Sequence, residues 1–149
     1  MKHSLIILFA LLLTACNSVY INGTMQPNSV VHAKPGGYGI KRSIKEQLEK
    51  RGYDVRVGKL RKAYADDVSE RETLELPSNV KYVVRVNENN EYFMPWCIFN
   101  GFWWWRFSLS VTDQKDGREI LSWRGRGCQN SSIRKLNEIL DELEYKKEK

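Results

Sequence analysis

The residues of this sequence that could do chemistry are few and widely spaced. His32 is the only histidine besides His3, and neither a GxSxG motif nor a CxxC pair occurs. A hydrolase needs a base beside its nucleophile, and a zinc site needs several ligands at characteristic spacings. Asp66 and Asp67 are adjacent rather than apart across a cleft, and KPGGYG at 34–39 lacks the lysine and spacing of a phosphate-binding loop. The sequence therefore predicts no enzyme activity, no metal and no cofactor.

A cysteine closes the apolar segment near the N-terminus, which reads LLLTACNSV over residues 11–19. Lys2 precedes nine apolar residues, and two small residues then precede Cys16, so the segment has the three parts of a secretory signal. Nine apolar residues are about half of the roughly 20 needed to cross a bilayer. We therefore predict an export signal rather than a membrane span. A buried core helix is the alternative, because no polar residue interrupts the apolar run.

Leu13, Thr14, Ala15 and Cys16 resemble the lipobox of bacterial lipoprotein precursors, in which a leucine and two small residues precede the lipid-bearing cysteine. The resemblance covers residues 1–16 and implies that residues 1–15 are a signal peptide and that lipidated Cys16 holds the protein in a membrane. Several acyl chains on one residue would anchor it stably, whereas one chain would not. Asn17, where an aspartate would imply retention in the inner membrane, implies the outer membrane with the domain facing the periplasm. Ordinary secretion with Cys16 as a plain thiol is the alternative.

Cys97 and Cys128 are the two cysteines left when Cys16 carries lipid. In an oxidising compartment such a pair is expected to form a disulfide. This bond would close a loop of about 30 residues and stabilise the domain by roughly 3–4 kcal/mol.

Length and charge limit the partners that the protein could bind. Removing residues 1–15 from the 149 leaves 134 residues, the size of one domain, and lowers the formal net charge from +6 to +5. A basic balance could favour anionic lipid, an acidic polymer or nucleic acid, and export makes nucleic acid the least expected of these. Opposite charges also alternate in KRSIKEQLEKR and DELEYKKEK, as is typical of solvated helix faces. We predict no nucleic-acid partner.

Hydrophobic periodicity predicts helices and strands. Ile40, Ile44 and Leu48 recur at helical spacing before Gly52, and a second apolar stripe predicts a helix over 132–145: Ile133, Leu136, Leu140 and Leu143. Alternation predicts strands near residues 53–57 and 82–86, and the short apolar stretch Val19–Ile21 is a candidate first strand. Residues 22–39 are rich in glycine, proline and asparagine, which predicts a loop.

The segment FWWWRFSLSV, residues 102–111, carries the strongest strand pattern. Its side chains alternate between two faces, and one row is entirely apolar and predicted to be core: Trp103, Trp105, Phe107, Leu109 and Val111. Trp104 falls on the opposite, more polar row. After the turn TDQKDG, a second strand is predicted from about 118 to 126. If Thr112 faces Arg118, then Phe102 faces Cys128, and a bridge from Cys97 is sterically plausible.

These elements predict an α+β fold, a two-layer sandwich with a mainly antiparallel sheet and two helices packed on one face. The predicted division is a signal peptide at 1–15, an anchor with a short strand or flexible tether at 16–38, and a single domain at 39–149. The pattern IKEQLEKRGYDVRV, followed by a hairpin and a terminal helix, resembles small envelope lipoproteins of unassigned function. It resembles the α/β domains of outer-membrane assembly lipoproteins more distantly, and neither resemblance supplies functional residues.

Tryptophan and arginine are enriched in binding hot spots, and one group of them is the candidate binding surface: Trp96, Trp104, Arg106, Arg124 and Arg126. The main hypothesis is a non-catalytic module that binds another envelope protein. The alternative is a peptidoglycan or glycan binder, in which Trp104 stacks on a sugar and arginines contact carboxylates. A third interpretation is that this basic, aromatic end rests on the membrane. The purely structural interpretation is that Trp96 and Trp104 cover the open end of the core.

Overall fold

A computed structural model describes residues 17–33, 39–58 and 79–145. Its elements follow one another as β1 (Ser18–Ile21), β2 (Val30–Ala33), α1 (Gly39–Lys50), β3 (Asp54–Val57), β4 (Tyr82–Phe93), a 3-10 helix (Pro95–Asn100), β5 (Trp103–Asp113), β6 (Glu119–Cys128) and α2 (Gln129–Tyr145). The signal peptide, Cys16, the acidic pair Asp66 and Asp67, and the glycine-rich segment up to residue 38 lie outside the described residues. Statements about them stay predictions.

The six strands form one mixed sheet in the order β1-β6-β5-β4-β2-β3. The neighbours β1, β6, β5 and β4 run antiparallel, whereas β2 is parallel to both β4 and β3. Both helices pack on one face of this sheet, so the predicted α+β class with a mainly antiparallel sheet is confirmed. None of the helices in the described ranges is long and apolar enough to cross a bilayer.

The core lies between the helices and one row of side chains on each strand. The predicted stripe of α1 is buried, and so are the last three apolar residues of the stripe on α2: Ile40, Ile44, Leu48, Leu136, Leu140 and Leu143. Gly52 ends the turn after α1 with φ 83°, a conformation that glycine adopts without strain. Arg51 joins the two helices, because its guanidinium contacts Glu144 at 3.0 Å and Asp141 at 2.6 Å.

The N-terminal region contributes two strands to the sheet. Of the predicted alternatives of strand or tether, the structure has a strand, because β1 pairs with β6 from Ser18 opposite Arg124 to Ile21 opposite Leu121. The prediction of a loop over residues 22–39 is wrong at β2, which pairs with β3 and β4. Three apolar residues and a histidine among turn formers give little local signal, and the partners of β2 are distant in sequence. Both strands precede residue 39 and belong to the same sheet as the rest.

The predicted register of the β5–β6 hairpin is wrong by about two residues. Trp104, not Phe102, lies opposite Cys128, and Thr112 lies opposite Glu119. An irregularity between Val111 and Thr112 shifts the pairing near the turn, and such a shift cannot be deduced from alternation alone. The predicted second helix also begins earlier than expected, at Gln129.

Trp103 does not belong to the core as predicted. The other four members of its row are buried, whereas Trp103 is 44% exposed. The reason is the length of the neighbouring strand: β6 ends opposite Trp104, so Trp103 has a strand partner only in Phe93 of β4. The apolar row therefore extends past the end of the core.

Candidate functional site

The sheet face opposite the helices carries four exposed arginines on three neighbouring strands. Arg106 of β5 points to this face because its neighbours in sequence, Trp105 and Phe107, are buried in the core. Arg126 of β6 lies directly opposite Arg106. The register places the other two arginines on the same side, each opposite a serine of β5. We call the set the arginine face: Arg85, Arg106, Arg124 and Arg126.

The arginine face forms no salt bridge within the described part of the chain. Salt bridges there involve other cations, as in the contacts of Arg51 with Asp141 and Glu144. Arg106 of β5 and Arg126 of β6 also lie directly opposite each other on neighbouring strands, and like charges in this arrangement are destabilising. The arrangement therefore concentrates positive charge at some cost in stability. It could bind carboxylates or phosphates, which arginine holds with two parallel hydrogen bonds.

Aromatic residues adjoin the arginine face, among them Trp104 and Tyr20. Trp104 is half-buried and lies two residues before Arg106 on β5, closer to the end of the sheet. It is flanked by Tyr92 of β4 and Cys128 of β6. Tyr20 of β1 lies on the same side and is 62% exposed. The ring of Tyr20 is thus more accessible than that of Trp104, which the sequence singled out.

The structure brings four of the five candidate residues to one face: Trp104, Arg106, Arg124 and Arg126. Sequence reasoning missed Arg85 and Tyr20, although the signal was present. Arg85 alternates with the apolar residues that predicted β4, and Tyr20 lies between Val19 and Ile21, so each had to lie on the side opposite its two neighbours.

Trp96 lies apart from the other candidates, in the 3-10 helix between β4 and β5, and is 69% exposed. Around it, large apolar side chains are exposed at this end of the sheet. We call them the aromatic tip: Phe93, Trp96, Ile98, Phe99, Phe102 and Trp103. Phe99 is 100% exposed. Several large apolar side chains exposed within one short segment are typical of a surface that contacts a partner or a membrane.

The aromatic tip is fastened to the start of α2. Cys97, buried inside the 3-10 helix, lies at disulfide distance from Cys128, with an S–S separation of 2.03 Å and Cα atoms 5.5 Å apart. The Phe102 amide donates a hydrogen bond to the Cys97 carbonyl at 2.9 Å, and Gly101 between them has φ 96°. The loop is therefore held at its base while its apolar side chains project outward.

His32 does not lie in a loop, although the sequence predicted one over residues 22–39. It lies on β2, is 7% exposed, and its Nε2 has no hydrogen-bond partner among the described residues. Burial lowers the pKa of His32 from its ordinary value of 6.5, because the charged form loses hydration. No group of three or more His, Cys, Asp or Glu that could hold a metal occurs in the described ranges. The side chain of His32 is therefore neutral near pH 7.

Acidification should destabilise the domain through His32. The pKa of His32 is lower in the folded state than in the unfolded chain, so the unfolded chain binds the proton more readily and protonation below about pH 6.5 favours unfolding. We expect the urea midpoint to fall between about pH 7.5 and pH 5.5. In the His32→Leu variant, which cannot take up a proton at this position, the urea midpoint should change less with pH. An equal change of the midpoint with pH in the two proteins would contradict this role of His32.

Comparison with known proteins finds similarity of fold only. No protein-family model matches the chain, and no curated protein matches it in sequence. Among solved structures, the PelC dodecamer from Paraburkholderia phytofirmans matches with a TM-score of 0.54, covering 88% of this chain and 98% of that chain at 11% identity. A PDZ domain protein from Parabacteroides distasonis matches with a TM-score of 0.39, over 85% of this chain and 34% of that chain at 11% identity. The likeness to PelC supports the α+β fold.

Proposed function

We propose that this chain is a lipid-anchored, non-catalytic interaction module of the bacterial outer membrane, held by Cys16 and facing the periplasm. The anchor rests on the lipobox resemblance of residues 13–16. The domain then presents the arginine face to a partner in the envelope through Arg85 and Arg124, the two arginines farthest from the aromatic tip. The partner class that we favour is another protein.

One observation carries the proposal: an exposed sheet face with four arginines that have no salt bridge in the described part of the chain. Other cations of the same domain, such as Arg51 and Lys41, have acidic partners. Burial of an arginine in a protein interface is favourable only when a carboxylate or carbonyl oxygen replaces water. The partner surface should therefore be acidic where it meets Arg85 and Arg124.

The structural likeness to PelC adds a second copy of this chain to the partners to be tested. The PelC structure is that of a dodecamer. Self-association is therefore one form that the protein interaction could take, and a second copy of this chain would be recognised by the mass of the captured species.

A glycan remains the second candidate ligand, on the observation of Tyr20. Its exposed ring lies on β1 beside the strand that carries Arg124. An aromatic ring next to arginines could stack on a sugar while the guanidinium groups contact muropeptide carboxylates. Trp104 is less suited to stacking, because it is half-buried between two strands.

Photo-crosslinking from the arginine face tests the proposal. A benzoyl-phenylalanine residue replaces Ser108, which lies opposite Arg124, in the full-length protein, and intact cells are irradiated. We expect a discrete protein adduct that mass spectrometry identifies. The same residue at Glu138, on the exposed side of α2, should give none. Glycan adducts from position 108 would support the alternative, and identical products from both positions would refute a specific face.

Charge reversal should abolish the capture. We expect Arg85→Glu with Arg124→Glu to reduce the adduct at position 108 at least about tenfold, which corresponds to 1.4 kcal/mol of binding free energy. Lys50→Glu with Lys115→Glu changes the net charge equally at exposed positions away from the face. This control should retain the adduct. An equal loss in both pairs would mean that net charge, and not this face, governs capture.

A further inference from the structure

We infer that the aromatic tip docks into the lipid bilayer and thereby fixes how the domain stands on the membrane. Phe99 is fully exposed, and Trp96 and Phe102 beside it are more than half exposed. Aromatic side chains at the end of a domain are suited to the boundary between lipid headgroups and acyl chains. This surface is distinct from the part of the arginine face that is proposed to bind a protein.

The chain enters the domain at the end that carries the tip. Asn17 directly follows Cys16, and its Oδ1 accepts a hydrogen bond from the Arg126 amide at 3.3 Å. Strand β1 then runs away from the tip, because Ser18 lies opposite Arg124 and the pairing continues toward Leu121. Consecutive Cα atoms are about 3.8 Å apart, so a lipid on Cys16 would be attached one residue before Asn17 along the chain. This step rests on the lipid proposed for Cys16.

The register also sets the depth that the tip can reach. Arg126 lies opposite Arg106, and the tip begins at Trp103, three residues before Arg106 on β5. At about 3.3 Å per residue, the tip begins roughly 10 Å beyond the level of Arg126, whose amide contacts Asn17. Interfacial elements bury their apolar face about 5–10 Å into the headgroup and acyl boundary. With the lipid of Cys16 at the membrane surface, the tip therefore reaches that boundary.

Charge along the sheet agrees with this placement. Arg106 and Arg126 come directly behind the tip, at the level where a docked domain meets lipid phosphates. Anionic lipids attract basic residues within about a Debye length of the surface. Arg124 lies two residues farther from the tip, so it faces the periplasm and stays free for a protein partner.

Photo-crosslinking from the tip distinguishes lipid from protein. Benzoyl-phenylalanine replaces Phe99 in the full-length protein, in cells, and the irradiated tip peptide is analysed by mass spectrometry. We expect phospholipid adducts at position 99. The same substitution at Lys115, an exposed residue of the turn at the opposite end of β5, should give none. Protein adducts in place of lipid at position 99, or equal lipid adducts at both positions, would overturn the inference.

Vesicle binding separates the tip from the anchor. The mature chain with Cys16→Ser is mixed with vesicles of phosphatidylethanolamine and phosphatidylglycerol and sedimented. We expect binding that Trp96→Ser with Phe99→Ser lowers at least about tenfold, since each change removes exposed aromatic surface. Val57→Ser removes an exposed apolar side chain on β3, away from the tip, and should bind like the parent. Absence of parent binding, or no loss in the tip variant, would overturn the docking while leaving lipidation of Cys16 to be tested separately.

Discussion

Replacement of Trp123 by alanine should lower the free energy of unfolding by about 3–5 kcal/mol, the range for a large aromatic residue removed from a core. Trp123 is 1% exposed and lies between Val19 of β1 and Leu109 of β5. Its ring also meets Phe107 edge to face, with centroids 4.6 Å apart. Urea unfolding followed by far-ultraviolet circular dichroism would measure the loss.

Two other substitutions test whether burial is the cause. Trp123→Phe should cost less, because the smaller ring keeps part of the packing and the buried Nε1 of Trp123 has no hydrogen-bond partner among the described residues. Trp96→Ala should change the unfolding free energy by less than about 1 kcal/mol, because this side chain is mostly exposed. A cost at Trp96 equal to that at Trp123 would contradict the assignment of one to the core and the other to the surface.

Local periodicity was sufficient to predict the buried side chains wherever a helix or strand has one buried row. The stripe on α1 and the apolar row of β5 from Trp105 onward follow directly from spacing, because a fixed period determines which side chains share a face. The same alternation placed Trp104 and Arg106 together. The arginine face was therefore largely predictable, and Arg85 would have completed it had the polar row of β4 been followed.

Features that depend on distant partners could not be predicted in this way. Strand β2 has four residues and is defined by parallel pairing with β3 and β4, which lie far along the chain. The exposure of Trp103 depends on where β6 ends, and that end depends on an irregular pairing near the turn. Each case involves the relative placement of two segments, about which the sequence of either segment alone carries no information.

The aromatic tip and the arginine face lie one after the other along β5, and we propose that they contact lipid and protein, respectively. Trp103 belongs to the aromatic tip, and Arg106 lies opposite Arg126, whose amide contacts Asn17. From this end of the sheet, an apolar surface is therefore followed by a basic one. This order matches the change from acyl chains to phosphates to water across a membrane surface. The proposed protein-binding residues, Arg85 and Arg124, then face away from the bilayer.

Removal of the bond between Cys97 and Cys128 should cost about 3–4 kcal/mol of unfolding free energy. The two residues are 31 positions apart, and opening a loop of this length restores that much conformational freedom to the unfolded chain in the entropy model. Cys97→Ala with Cys128→Ala avoids a free thiol, and urea unfolding against the parent measures the difference. Addition of dithiothreitol should destabilise the parent and leave the double variant unchanged.

The variant with Cys97→Ala and Cys128→Ala should lose conformational order in the aromatic tip more than in the rest of the domain. Cys97 is buried in the 3-10 helix and Cys128 immediately precedes α2, so the bond joins the tip to a helix of the core. Without it, the tip must order itself on docking, and that ordering opposes binding. We expect fewer lipid adducts at position 99 under conditions in which the double variant is still folded. Unchanged adducts, or an unfolding free energy insensitive to dithiothreitol in the parent, would show that the bond does not organise the tip.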